Sequence, residues 1–410
     1  MSALHVRFAP SPTGRLHPGN ARTALVNALF ARRWGGRFTL RIDDTDPTRE
    51  EPGAIDAIRA DLAWLGIPPD GEQRQSARAA RYEGAAAALV RDGRAYDAGG
   101  AIRLALGSGV ERWDDRVHGA MAVDLAHQSD PVLVRADGRA TYTLASVVDD
   151  VDMAVTHVIR GDDHLTNTGV QRRLAAALGA APPAFAHLPL VVDAAGAPLS
   201  KRDASLTLDH LRELGVEPEP LVAYLAGLGT GRTVAADADP AAALELAAFS
   251  TGAVTFDPAE VVRAQERWLA TLDVEAVNAR LRRRGAEPVD GALWAAVRGN
   301  LARGGDGPWA RLATLAALED WRAIVEGAIR PVLDPDDREL LETAATLLDD
   351  AIDAEAWLAA VSAATGRRGK RLRLPIRRAL SGRSDGPPLG DLLAISGRER
   401  ARRRLRGERA

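Results

Sequence analysis

The residues best suited to chemistry fall in three short stretches. The first is the turn His17-Pro18-Gly19-Asn20, which follows the proline-rich loop Pro10-Ser11-Pro12-Thr13-Gly14. A helix starting near Asn20 would offer unpaired N–H groups and a positive dipole end to a phosphate. Gly19 would let a nucleotide approach the backbone, Pro18 would stiffen the turn, and His17 could donate a hydrogen bond to developing negative charge. An ordinary strand-to-helix turn with a solvent-facing histidine fits the same residues. The second stretch is Pro198-Leu199-Ser200-Lys201-Arg202. A lysine beside a hydroxyl on a loop suits a phosphate clamp, and a plain surface lysine is the alternative. Composition sharpens that choice. Of 53 basic residues only Lys201 and Lys370 are lysine, so a lysine that survives among arginines can mark a need for a compact ammonium rather than a planar fork. The third stretch is Arg160-Gly161-Asp162-Asp163-His164, at the end of an apolar strand pattern. Ligands of open α/β sheets bind at the C-terminal ends of strands. Arg7 on the first strand and Asp43 at the end of the second converge on the same edge. Two arginines and a few carboxylates there suit an amino-acid zwitterion with an acidic side chain, and structural ion pairing fits them as well.

Other titratable groups carry less. Asp43-Asp44-Thr45-Asp46 and Asp149-Asp150-Val151-Asp152 lack EF-hand spacing and its terminal glutamate. Capping and solvent exposure are expected of most of these carboxylates, and no metal site is expected. His157, His187 and His210 have no companion at ligand spacing and read as structural. The absence of cysteine excludes a disulfide scaffold, a thiolate nucleophile and any cysteine-based zinc site.

The elements that must position these residues follow an alternating plan. Leu4 to Ala9 and Arg37 to Ile42 read as strands; Asn20 to Trp34, Gly53 to Leu65 and Arg78 to Arg91 read as helices. The pattern weakens from Ala95 to Gly138. It resumes with strands over Thr141–Val148, Ala154–Ile159 and Pro189–Val192 and a helix over Thr168–Leu178. Strand–helix alternation with short links predicts an α/β fold with a parallel sheet covered by helices. Beyond Leu208 almost everything reads helical. Trp309, Trp321 and Trp357 in that part could stack on bases but are better read as core. The 410 residues suggest two to four domains; 46% hydrophobic and 27% charged residues are ordinary for a core-forming chain. No apolar run spans a bilayer and the N-terminus lacks a signal peptide, so a cytoplasmic location is expected. The net charge of −3 averages an acidic body with the last 44 residues, which carry 15 basic and 4 acidic side chains.

Together these motifs resemble bacterial glutamyl-tRNA synthetase, a class I aminoacyl-tRNA synthetase. His17-Pro18-Gly19-Asn20 stands where that class carries its HIGH signature, and Pro198–Arg202 where it carries KMSKS. The flanking text makes the match specific: Arg7-Phe-Ala-Pro-Ser-Pro-Thr-Gly, Arg41-Ile-Asp-Asp-Thr-Asp, Val147-Val-Asp-Asp-Val-Asp-Met and Thr156-His-Val-Ile-Arg-Gly-Asp-Asp-His. The resemblance runs from about residue 4 to 230 and reappears weakly from 374 to 405.

The resemblance implies a Rossmann-type catalytic domain over 1–81 and 141–197 and a shortened acceptor-end-binding insertion over 82–140. It further implies a KMSKS loop with a stem-contact helical domain over 198–284 and a helical anticodon-binding domain over 285–410. It implies activation of L-glutamate on ATP with Mg²⁺ as the substrate complex, then transfer to the 3′ end of tRNA(Glu), by a monomer. By motif, Arg7, Ala9, Ser11, Asp43, Tyr142, Ser146, Arg160 and His164 match the glutamate site. His17, Gly19, Asn20, Ser200 and Lys201 match the ATP site, with His17 and Lys201 as the catalytic pair. Arg7 is expected to face the substrate's side-chain carboxylate. Three departures stand out: Asp43 is one methylene shorter than the usual glutamate, Ser146 occupies a variable position, and the insertion is only about 60 residues. The short insertion also suits a paralogue that passes glutamyl-adenylate to another acceptor. An inactive tRNA-binding protein is a third reading, against which the intact Arg7, His17 and Lys201 argue.

Overall fold

The structure is a computed structural model that describes residues 3–199, 206–302, 309, 311–349 and 353–410. The first strand, β1 (His5–Phe8), pairs in parallel with β2 (Arg37–Ile42), and β2 pairs in parallel with β3 (Gly71–Arg74). Helices α1 (Pro18–Arg33) and α2 (Ala54–Trp64) make the two crossovers. Every residue of β1 is buried, as expected of a strand covered on both faces. Helix α3 (Ala79–Arg91) leads into five short strands, β4 (Ala95–Asp97), β5 (Ile102–Leu104), β6 (Val110–Asp115), β7 (Gly119–Asp124) and β8 (Val132–Val134).

The chain then returns to the main sheet. Helix α4 (Tyr142–Asp152) precedes β9 (His157–Gly161), helix α5 (Leu165–Ala177) and β10 (Ala184–Leu188). β9 and β10 are parallel. Thr156 N donates to His5 O at 2.9 Å and His5 N donates to Thr156 Oγ1 at 2.9 Å, so β9 runs beside β1. The parallel strands therefore lie in the order β3–β2–β1–β9–β10, as two sheets that meet side by side at β1 and β9, and the chain leaves β1 towards one side and β9 towards the other. That reversal between β1 and β9 is where a doubly wound sheet opens a crevice. Helix α1 lies across it, and Asn27 Nδ2 donates to Ile159 O at 3.0 Å, fixing the helix to β9.

One sequence expectation is corrected here. Thr141–Val148 reads as a strand because it is rich in β-branched residues, yet it forms α4. Leu144, Ala145, Val147 and Val148 are buried against a core that includes Tyr82, Leu89, Leu125, Leu133 and Leu174, and tertiary packing of that kind overrides β-propensity. The region 95–138, where the pattern weakens, is built of short strands. β4, β5 and β8 form a small antiparallel sheet, while β6 and β7 form a hairpin whose β6 joins the edge of β10, pairing Phe185 with Asp115. β4, β5 and β8, with three residues each, leave too little alternation for a periodicity reading.

After β11 (Val191–Val192) come α6 (Leu208–Leu214), α7 (Pro218–Gly227) and β12 (Val254–Thr255), which pairs with β11. The chain divides into two compact units, Met1–Asp257 and Pro258–Ala410. The second is helical, from α8 (Pro258–Thr271) and α9 (Val274–Arg283) to α16 (Arg398–Leu405). Trp309, Trp321 and Trp357 are buried in it; the Nε1 of Trp321 donates to Asn300 O and that of Trp357 to Ala344 O, each at 2.9 Å. They are core residues and present no stacking face.

Candidate active site

The cleft at the β1/β9 reversal has a volume of about 700 Å³, within the range of small-molecule sites. It is walled by the ends of β1 and β9, the first turns of α1 and the segment 189–191. It gathers ten of the residues singled out from sequence: Arg7, Ala9, Ser11, His17, Gly19, Asn20, Asp43, Tyr142, Arg160 and His164. Ser146 is not among them. It is buried within α4, where its hydroxyl accepts from Gln171 Nε2 at 3.1 Å. Ser200 and Lys201 lie outside the described residues.

At one end of the cleft α1 presents its N-terminus. His17 is the N-cap: Nδ1 accepts from Gly19 N at 3.1 Å and Asn20 N at 3.4 Å. With Nδ1 so engaged, the proton of the neutral ring sits on Nε2. Gly19 is needed for this cap, since a Cβ there would lie 2.9 Å from His17 Cε1. Three buried polar atoms of α1 find no partner among the described residues, Asn20 Oδ1, Arg22 Nε and Asn27 Oδ1. Arg22 is nearly fully buried, among the described residues bonds the carbonyls of Pro189 and Leu228, and has its pKa lowered to about 10 by burial. This end is positive and Arg22 Nε–H is an unsatisfied donor, a setting for phosphate oxygens.

At the other end the charges divide into two groups. Arg7 donates through Nε (3.0 Å) and Nη2 (3.4 Å) to Asp150, which also accepts from Arg41 Nη1 at 2.6 Å. Arg41 in turn chelates Asp43 through Nε at 2.8 Å and Nη2 at 3.3 Å. Burial pushes the Asp43 carboxyl up, against the pull of Arg41. Two guanidiniums and two carboxylates thus balance. Arg160 stands apart. It is only 6% exposed, and its guanidinium meets three neutral groups: His187 Nε2 (3.3 Å), Tyr142 Oη (3.4 Å) and Thr168 Oγ1 (2.8 Å). It makes no ion pair with a described carboxylate, and burial pushes its ionisation down.

The acidic runs expected to cap helices and face solvent are only partly so. Asp46 does cap the turn at 47–49. Asp44 and Asp149 are fully buried: the first accepts from Ser76 N and Oγ and pairs with Arg74, the second accepts from Gln75, Arg78 and Tyr82. Arginines distant in sequence made burial possible, which local pattern could not reveal. Among the described residues no three His, Cys, Asp or Glu side chains cluster as a metal site. Arg22 and Asp150 were missed by sequence reading; the one signal for Arg22 was its place five residues after His17 on the same helix.

Residues 3–101 and 100–248 match the family described as tRNA synthetases class I (E and Q), catalytic domain. Residues 324–408 match the anticodon binding domain family. The chain is 42% identical to glutamate–tRNA ligase 1 of Rhodospirillum rubrum, over all of both chains. It is 44% identical to glutamate–tRNA ligase 2 of Methylorubrum populi, over 99% of each. In fold it is similar to the crystal structure of a glutamate tRNA ligase from Elizabethkingia meningosepticum in complex with its amino acid, with a TM-score of 0.82 and 24% identity over 98% of each chain. A β3–β2–β1–β9–β10 strand order, a His-capped helix at its reversal and end-to-end similarity to these ligases lead to one conclusion: the chain belongs to the class I tRNA synthetases of the glutamate–tRNA ligase family.

Proposed function

We propose that this protein activates L-glutamate with ATP to glutamyl-adenylate and transfers the glutamyl group to the 3′ end of tRNA(Glu). The observation that carries the reading is Arg160, a buried guanidinium on the cleft wall that makes no direct ion pair with a described carboxylate and meets only neutral groups. Glutamate brings a second carboxylate that glutamine lacks, and a guanidinium whose donors face only neutral groups is the partner suited to it. Arg160 and Arg7 receive the two substrate carboxylates, Tyr142 adds a hydroxyl, and Asp43 and His164 flank the amino group.

The reaction asks little proton chemistry of the protein. The α-carboxylate of glutamate is already a nucleophile at neutral pH. Its oxygen attacks the α-phosphorus of ATP, and pyrophosphate leaves with the electron pair of the broken P–O bond. The barrier lies in bringing two anions together, so positioning and fixed positive charge do the catalysis. His17 Nε2–H, the α1 N-terminus, Asn20 and Arg22 supply these from described residues. Ser200 and Lys201 join them by sequence position, and Mg²⁺ enters with ATP as its substrate complex. A ribose hydroxyl of the terminal adenosine then attacks the activated carbonyl, and AMP leaves.

The match of 324–408 to an anticodon-binding family supports tRNA as the acceptor over a small amine or a base. On this reading 82–140 remains the shortened acceptor-end insertion, 285–410 the anticodon-binding part, and the enzyme works as a cytoplasmic monomer. Pyrophosphate exchange with glutamate, with and without tRNA, tests it. Exchange without charging of tRNA(Glu) would redirect the reading to another acceptor, and no exchange in either condition would refute it.

A further inference from the structure

Behind Arg160 lies a buried chain of polar groups that the adenylation chemistry does not itself use. His187 on β10 is the direct parallel-strand neighbour of Arg160 on β9. Asp115, at the end of β6, is delivered to the same place because β6 adds to the other edge of β10. His187 and Asp115 are both fully buried, and Asp115 Oδ2 lies 2.5 Å from His187 Nδ1. Asp115 Oδ1 accepts from the backbone N–H groups of His187 (3.2 Å), Val117 (3.0 Å) and His118 (3.1 Å). Burial works against its ionisation, but the His187 and backbone hydrogen bonds prevail and hold the carboxyl down at about 2. The His187 ring lies parallel to that of Phe185, 6.0 Å away, and Phe185 in turn carries the Arg160 guanidinium 5.5 Å from its centroid.

Donor and acceptor counting gives this arrangement a direction. His187 Nε2 lies 3.3 Å from Arg160 Nε, which can only donate, and 2.9 Å from Thr168 Oγ1, whose hydroxyl can donate or accept, so a lone pair on Nε2 suits both neighbours. The ring proton must then sit on Nδ1, and a carboxylate at 2.5 Å is the group that keeps it there. The Arg160 fork is held on one edge by this imidazole and on another by Thr168 Oγ1. A guanidinium without a carboxylate partner is otherwise free to swing, and a swing of about 1 Å at a reacting site costs on the order of 100-fold.

We propose that Asp115 and His187 are positioning residues for glutamate: the carboxylate sets the imidazole tautomer, and the imidazole aims the Arg160 guanidinium into the cleft. The inference rests on the reading that Arg160 receives a substrate carboxylate. It also gives the β6–β7 hairpin, which lies in the stretch between α3 and α4, a part in amino-acid recognition.

Asp115→Asn tests this. The amide oxygen can keep the backbone N–H bonds, but its NH₂ then faces Nδ1 and drives the ring proton to Nε2, against Arg160 Nε–H. ATP–pyrophosphate exchange with the full-length variant should show the KM for glutamate raised about 10- to 100-fold, with the KM for ATP within about twofold of the parent. Nitrogen-15 NMR of histidine-labelled protein should show the His187 proton on Nδ1 in the parent and on Nε2 in the variant. His187→Gln, which retains an acceptor for Arg160 without needing a tautomer, should raise the KM less than Asp115→Asn. Arg160→Lys separates the two levels of the argument. If it leaves the glutamate KM unchanged, the reading of Arg160 itself fails. If it raises that KM and adding Asp115→Asn raises it no further, the relay stands. An unchanged glutamate KM in folded Asp115→Asn overturns the relay, as does an equal rise in both substrates' KM or an Nε2–H tautomer in the parent.

Discussion

Replacing Arg160 by glutamine should separate binding from folding, because the two depend on its charge with opposite sign. In the resting protein the guanidinium is 6% exposed and meets only neutral partners directly, with the Asp115 carboxylate reached only through His187. Removing a buried charge of that kind costs the fold little. The three acceptors lose donors worth roughly 1 kcal/mol each, but glutamine re-supplies one and the desolvation cost disappears. The net change in stability is expected within about 1 kcal/mol, or about 2–4 °C in melting temperature for a unit of this size. With glutamate bound the same charge is paired. Deleting one member of a buried ion pair costs about 3–5 kcal/mol, which is roughly 10²- to 10⁴-fold in kcat/KM. The assay is ATP–pyrophosphate exchange with glutamate and with glutamine as substrate, beside a thermal melt. Preference for glutamate should collapse because the variant loses the group that only the acid repays. A kcat/KM for glutamate within about threefold of the parent would refute the charge argument. A melting point lowered by 10 °C or more would mean that Arg160 is a structural residue.

Three further perturbations follow from the same geometry. His17→Asn keeps an N-cap for α1 and should leave the melting point almost unchanged, yet lower the exchange rate about 10²- to 10³-fold by removing the Nε2–H donor; equal losses of stability and activity would reduce His17 to a cap. Gly19→Ala places a Cβ 2.9 Å from His17 Cε1 and should raise the KM for ATP while sparing that for glutamate, as read by exchange at varied ATP. Asp61 is raised from 3.8 to about 6 by burial, despite Arg212 at 2.6 Å. A carboxyl raised in the folded state adds stability that is full below about pH 4 and lost as pH climbs through 6. Asp61→Asn should therefore raise the denaturation midpoint at pH 7 relative to the parent and make little difference at pH 4, and the reverse order would show that the Arg212 pair outweighs desolvation.

What could be read from the residues alone was whatever short-range chemistry dictates. Asn20–Trp34 reads as a helix and β1 and β2 as strands because apolar spacing and flanking Gly and Pro are local signals, and the structure agrees within a few residues. The cleft residues Arg7, His17, Asn20, Asp43 and Arg160 were legible because strand ends and strand-to-helix turns are where an open α/β sheet places ligands. The strand assigned to Thr141–Val148 failed because burial of one face by α3, β8 and α5 outweighed the β-branched bias.

The charge pattern was decided only by the tertiary structure. Arg7 and Arg160 look equivalent as letters. The fold sets Asp150 beside the first and only neutral groups in contact with the second, so one is ion-paired at rest and the other is not. His187 looked solitary because its partner, Asp115, is 72 residues away in sequence and reaches it only when β6 joins the edge of β10. Periodicity and spacing report on neighbours within a few residues. Ion pairing, desolvation and tautomer depend on which distant strands meet, and those properties turn a set of suitable side chains into a site.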